Sequence, residues 1–136
     1  MKKSVIIFLI LLAIAACYNR EANLSPDCNI HSGACIKSYN GKEISFGIEP
    51  MPVKAMESLY FRVKLTNYKN PQSIIVNLSM PKMSMGYNQV SLEKRGLDTY
   101  EGRGIIPACP SGRRLWKASI IINDKVEESF LFNVHY

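Results

Sequence analysis

The sequence predicts an all-β domain, an antiparallel sandwich of seven to eight strands that follows a cleaved export segment. Three observations carry this expectation. Runs of alternating apolar and polar residues recur at a spacing of roughly 8–13 residues, turn-forming residues separate them, and no stretch shows a convincing amphipathic helical period.

The first run, Ile36-Lys37-Ser38-Tyr39, is joined to Lys42-Glu43-Ile44-Ser45-Phe46-Gly47-Ile48 by Asn40-Gly41. Asn-Gly between extended runs is a strong short-range hairpin signal, and Ile44, Phe46 and Ile48 alternate inward. Residues 53–59 have room for one helical turn, kept short by Pro50 and Pro52. Residues 59–65 form the clearest half-buried strand, with Leu59, Phe61, Val63 and Leu65 on the inner face. After the polar turn at 67–71, Ile74, Val76 and Leu78 alternate, and Val90 and Leu92 mark a short strand. Residues 99–106 run extended through Gly102 and Gly104, and interior glycines in a strand indicate an edge, a bulge or a close backbone approach. Trp116, Ala118, Ile120 and Ile122 then alternate, Asn123-Asp124 turns the chain, and Val126, Phe130, Phe132 and Val134 belong to the closing strand. The expected core holds Phe46, Phe61, Val63, Val76, Trp116, Ile120 and Phe132, with the Trp116 indole N–H finding a backbone acceptor. Such a strand count and spacing argue for an Ig-like sandwich.

Upstream, Met1-Lys2-Lys3, an apolar run over residues 5–14 and Ala15-Ala16-Cys17 have the three regions of an export signal. The apolar run is short for a membrane-spanning helix, which needs about 20 residues. The ending Ile14-Ala15-Ala16-Cys17 resembles a bacterial lipobox. That resemblance implies a lipoprotein cleaved before Cys17, with diacylglycerol on the Cys17 sulfur and palmitate among its acyl chains. By the same resemblance, Tyr18 implies an outer-membrane address facing the periplasm. The expected organisation is a signal peptide at 1–16, a polar lipidated tether at 17–27 and one β-sandwich domain at 28–136.

Removing Lys2 and Lys3 lowers the positive count from 17 to 15 against 11 acidic residues, a net charge of about +4. Basic residues are scattered apart from Lys94-Arg95 and Arg113-Arg114, without the basic helix or aromatic-interleaved strand that nucleic acids call for. No Ser/His/Asp set, HExxH motif, paired-carboxylate constellation or phosphate-cradling glycine loop is present, so the expectation is a non-enzyme.

With Cys17 committed to lipid, Cys28, Cys35 and Cys109 remain in an oxidising compartment. Ser32-Gly33 can fold Cys28 back towards Cys35, and a disulfide closing so short a loop contributes ~2.5 kcal/mol by loop entropy. Cys109 is then a free thiol. Met80-Pro81-Lys82-Met83-Ser84-Met85-Gly86 holds three of the five methionines after Met1, beside two structure-breaking residues. Two readings stand: the methionines cap the core, or they bind a soft cation, because thioether and thiolate sulfur select Cu(I) over harder ions.

If the strands alternate in direction, the loops at 49–58, 80–87 and 107–113 share one end, while those at 67–71, 94–98 and 123–125 share the other. Met51, Met56, Met80, Met83, Met85 and Cys109 then collect at the first end, with Cys28, His31 and Cys35 nearby. A Cys109 thiolate or a His31 imidazole can complete a three- or four-coordinate Cu(I) site with the methionines. His135, next to the terminus, carries no expected role.

From Leu78 through Trp116 the pattern resembles the YtkA-like and FixH-like periplasmic domains. It has a Met-Pro turn with a following glycine, Tyr100-Glu101-Gly102 leading a strand, and Gly112 before the aromatic strand at Trp116. The resemblance implies a small β-sandwich associated with copper handling or oxidase assembly, with Met80, Met83 and Met85 at its site. This chain differs in lacking histidines in the methionine turn and in carrying Cys109 near the second loop. The expected function is a lipid-anchored, periplasmic Cu(I)-binding protein that metallates an envelope partner. The alternative is a non-metal scaffold docking another envelope protein through the same loop end by adaptable Met and aromatic side chains, and a third class is an inhibitor lipoprotein that blocks a cell-wall hydrolase through the basic loop 110–114.

Overall fold

The computed structural model describes residues 24–136, so the expected signal segment, Cys17 and most of the tether lie outside the described residues. Eight strands form: β1 (Cys35–Tyr39), β2 (Lys42–Glu49), β3 (Leu59–Thr66), β4 (Ile74–Ser79), β5 (Gln89–Lys94), β6 (Thr99–Gly104), β7 (Leu115–Ile122) and β8 (Lys125–Asn133). Each coincides with an alternating run of the sequence. The described residues contain no helix, and residues 51–58 make turns and bends where a helical turn was expected. The two shortest hairpins use the residues that their geometry demands. Asn40 and Gly41 have φ of 49° and 74°, Asn123 and Asp124 of 48° and 65°, the paired left-handed conformations that match the twist of antiparallel strands.

All strand pairings are antiparallel and join into one continuous sheet in the order β1-β2-β3-β6-β5-β4-β7-β8. The expected sandwich is therefore a single sheet folded on itself. The strand β5 makes the corner: residues 89–92 pair with β4 and residues 93–94 with β6. Gly102 and Gly104 of β6 permit that corner, because a Cβ on Gly102 would collide with the Ser91 carbonyl and the Leu92 side chain, and one on Gly104 with Val90. Of the three meanings of an interior strand glycine, close approach is the one realised here.

The two halves close over one core. Phe46 of β2 lies 5.5 Å from Phe130 and 5.9 Å from Phe132 of β8, ring centroid to centroid, and all seven expected core residues are 0% exposed. Burial of this kind is worth about 1.5–3 kcal/mol for each large side chain. Two details differ from expectation. The Trp116 indole N–H is buried without an acceptor. Val126 is exposed although it shares the parity of Phe130 and Phe132. A bulge shifts the register between Ile120 and Ile121, so that Glu128 pairs with Ile120 but Val126 with Ile121, turning Val126 outwards.

The edge strands β1 and β8 meet across a seam that side chains close. Asp27 donates its N–H to the Leu131 carbonyl at 2.7 Å and accepts the Leu131 N–H on Oδ2 at 2.8 Å. Lys37 reaches over the Phe130 ring, donates to the Ser129 carbonyl at 2.6 Å and pairs with Asp27 at 2.9 Å and Glu128 at 3.5 Å. Asp27, the last residue of the stretch expected to be tether, is thus part of this seam.

Candidate functional site

The strand directions bring the loops at 50–58, 80–88 and 105–114, the start of β1 and the C-terminus to one end of the sheet. This is the end that strand parity assigned. Met80, Pro81 and Lys82 line a common depression with Arg113, Arg114 and Leu115, so the methionine loop and the cysteine loop lie side by side.

The methionine loop opens with a turn in which Met83 donates its N–H to the Met80 carbonyl at 3.3 Å, with Pro81 first and Lys82 at φ 60° second. Proline followed by a positive φ is the type II pattern. This turn separates the methionines. Met80 is 3% exposed and belongs to the hydrophobic core, whereas Met83 and Met85 are 37% and 36% exposed on a segment without ladder pairing. Core capping therefore describes Met80, and the other two thioethers remain open to a soft ligand.

Cys28 and Cys35 form a disulfide with Cα atoms 5.8 Å apart, and Cys109 is the free cysteine among the described residues. Cys109 is 7% exposed, with Sγ 3.0 Å from Ser111 Oγ. Hydrogen bonding by the Ser111 hydroxyl, helped by the Ser111 and Arg113 backbone and the Arg113 charge, holds the thiol below its ordinary pKa despite the opposing effect of burial. The loop that carries it is tied down on both flanks. Cys109 donates its N–H to the Tyr136 hydroxyl at 3.3 Å, and that hydroxyl donates to the Arg113 carbonyl. Met56 donates its N–H to the Ile106 carbonyl at 2.8 Å, and its Sδ accepts the Ala108 N–H at 3.4 Å. Tyr136 and Met56 are thus positioning residues for the thiol. Nothing local marks Tyr136, and Met56 stood out only for its sulfur.

His31 does not join the sulfurs. Its Nδ1 accepts the Val53 N–H at 3.0 Å, so that nitrogen already has a protein partner. With Nδ1 an acceptor, the proton of the neutral ring sits on Nε2. Ligation through Nδ1 would release the Val53 N–H. Burial and the nearby His135, 4.2 Å away ring to ring, push its pKa down. His135 also has a role the sequence did not suggest: its N–H donates to the Val53 carbonyl and its carbonyl accepts the Ala55 N–H, pinning the 50–58 loop to the C-terminus.

Among the described residues, no group of three His, Cys, Asp or Glu side chains stands together as a cation site. Thioether and thiolate sulfur of the kind these two loops carry suits a soft ion. Compared with family models, curated proteins and solved structures, the chain matches none.

Proposed function

We propose that the protein is a lipid-anchored carrier of Cu(I) in the cell envelope, taking the ion as cargo through Met83, Met85 and Cys109, with Met80 at the base of the site. The observation that carries the reading is the pairing of two thioethers, each about one-third exposed, with an adjacent loop holding a free thiol of depressed pKa. A thiol must lose its proton to ligate, and lowering its pKa reduces the competition from protons; the thioethers have no proton to lose. The thiolate compensates the charge of the ion. The partly exposed Met83 and Met85 suit a site that must also release its cargo to a periplasmic partner, while Met80 and Cys109 are buried beneath the surface. An anchor on Cys17, at the outer membrane facing the periplasm, and the likeness to YtkA-like and FixH-like domains belong to the same proposal.

Competition with a Cu(I) chelator tests it. Replacing Met83 and Met85 together by leucine keeps side-chain volume nearly constant, so stability should change by less than ~1.5 kcal/mol per site. Copper affinity should fall sharply, and Cys109→Ser should lower it further. Wild-type affinity in the double leucine variant would remove the methionines from the site. The alternative, a non-metal scaffold docking an envelope protein, draws on the exposed Met51, Met56 and Tyr87 at the same loop end. It requires that the wild-type protein fail to hold Cu(I) against the chelator.

A further inference from the structure

The depression between the methionine and cysteine loops, about 390 Å³, carries a feature that the copper reading does not use. Lys82, Arg113 and Arg114 line it together with Asn133 and the apolar Leu24, Met80, Pro81 and Leu115. None of the three cations forms an ion pair among the described residues, which is equally true of Lys42, Lys64, Lys69, Lys94, Arg103, Lys117 and Lys125, so what marks this depression is three cations together without a carboxylate. A second depression of about 340 Å³ shares Arg114 and Asn133, is lined also by Pro26, His31 and His135, and like the first has no acidic residue in its lining. Three further depressions each have glutamate in their lining, Glu49 in one, Glu127 and Glu128 in another and Glu127 in a third.

The chain enters the fold through this carboxylate-free surface, since Leu24 lines one depression and Pro26 the other. Cys17 precedes Leu24 by seven positions, a reach of about 25 Å when fully extended. Whether the attachment is lipid on Cys17 or the apolar run at 5–14, it leaves the fold at the unpaired cations. Cations set among apolar residues match a bilayer surface, which offers phosphate groups over an apolar interior, better than they match one small ion held by converging donors.

We infer that this face, with Lys82, Arg113 and Arg114 as its charged contacts, docks against the acidic phospholipid headgroups of the membrane to which the chain is attached. The docked pose holds the sulfur-bearing loops at the membrane surface. The inference rests on the membrane-attachment part of the proposed function and is independent of copper.

The test uses the mature attached protein in phosphatidylcholine vesicles with and without phosphatidylglycerol. Flotation reports attachment, and hydrogen–deuterium exchange of the 80–88 and 105–114 segments reports docking. Exchange there should be about 5-fold slower or more on phosphatidylglycerol vesicles, and the difference should vanish in raised salt and in the Lys82→Gln/Arg113→Gln/Arg114→Gln variant. The salt arm needs no variant. Equal exchange on both vesicle types while the protein floats with both overturns the inference and leaves attachment standing. If the protein does not float with phosphatidylcholine alone, the attachment reading fails instead. Flotation with phosphatidylglycerol vesicles that is lost in the triple variant would then support the inference, and flotation with neither would overturn it. Equal slowing by inorganic phosphate without vesicles would also overturn it, by identifying a free oxyanion as the ligand.

Discussion

His31 shows how one side chain can be given a different role by partners far away in the chain. Its neutral form is favoured in the folded protein, first by burial and then by the neighbouring His135, and a protonated Nδ1 would face the Val53 N–H. The folded pKa lies below the ordinary value, so the unfolded chain binds more protons in the window between the two. Stability from this residue is therefore fully present above pH ~6.5, declines as pH falls through that window, and is gone below the folded pKa. An NMR titration should place the His31 pKa below that of an unfolded peptide, and His135→Asn should move it part of the way back. In urea unfolding, His31→Gln should flatten the fall in midpoint between neutral and mildly acidic pH. From the sequence, His31 was only an imidazole near cysteines. Its bond to Val53 and its packing against His135 join residues that no local pattern relates. The disulfide beside it was legible, because Ser32-Gly33 and the short Cys28–Cys35 separation are local.

At the scale of an element, β6 is defined by its two glycines. Gly102 faces the Ser91 carbonyl, a backbone atom that cannot rotate away, so Gly102→Ala should force β5 and β6 apart. The expected cost is about 1–3 kcal/mol, measured by urea unfolding, typical of overpacking in a tight core. Exchange should quicken at the amides of residues 93–94, where β5 joins β6. The glycine signal was present in the sequence with three possible meanings, and the partner strand decided among them. Conversely, alternation within β3 and β4 revealed their buried faces directly, since side-chain direction in a strand follows from residue parity. Parity failed only at Val126, where the bulge opposite Ile120 and Ile121 inserts a residue that the alternating pattern does not record.

The whole molecule depends on its seam. With β1 and β8 joined by Asp27 and Lys37 rather than by a continuous ladder, Lys37→Met keeps the apolar stem over Phe130 and removes the ammonium between Asp27 and Glu128. The expected loss is about 1 kcal/mol, since these groups are about one-third exposed and solvent screens them. Amide exchange at Leu131, whose N–H is held by Asp27, should rise in the same variant. Sequence order alone was enough for the all-β class, the eight strands, the Asn-Gly and Asn-Asp hairpins, the core around Phe46 and Trp116, and the gathering of the Met83, Met85 and Cys109 loops at one end. Each of these follows from strand parity, turn chemistry or alternating direction, which act between near neighbours or simply count along the chain. The single sheet folded at β5, the seam at Asp27 and Lys37, the burial of Met80 apart from Met83 and Met85, the anchoring of the Cys109 loop by Tyr136 and the unpaired cations beside Leu24 needed the tertiary structure. They arise between residues tens of positions apart, brought together by packing, and the energy of such contacts depends on distance in space rather than separation along the chain.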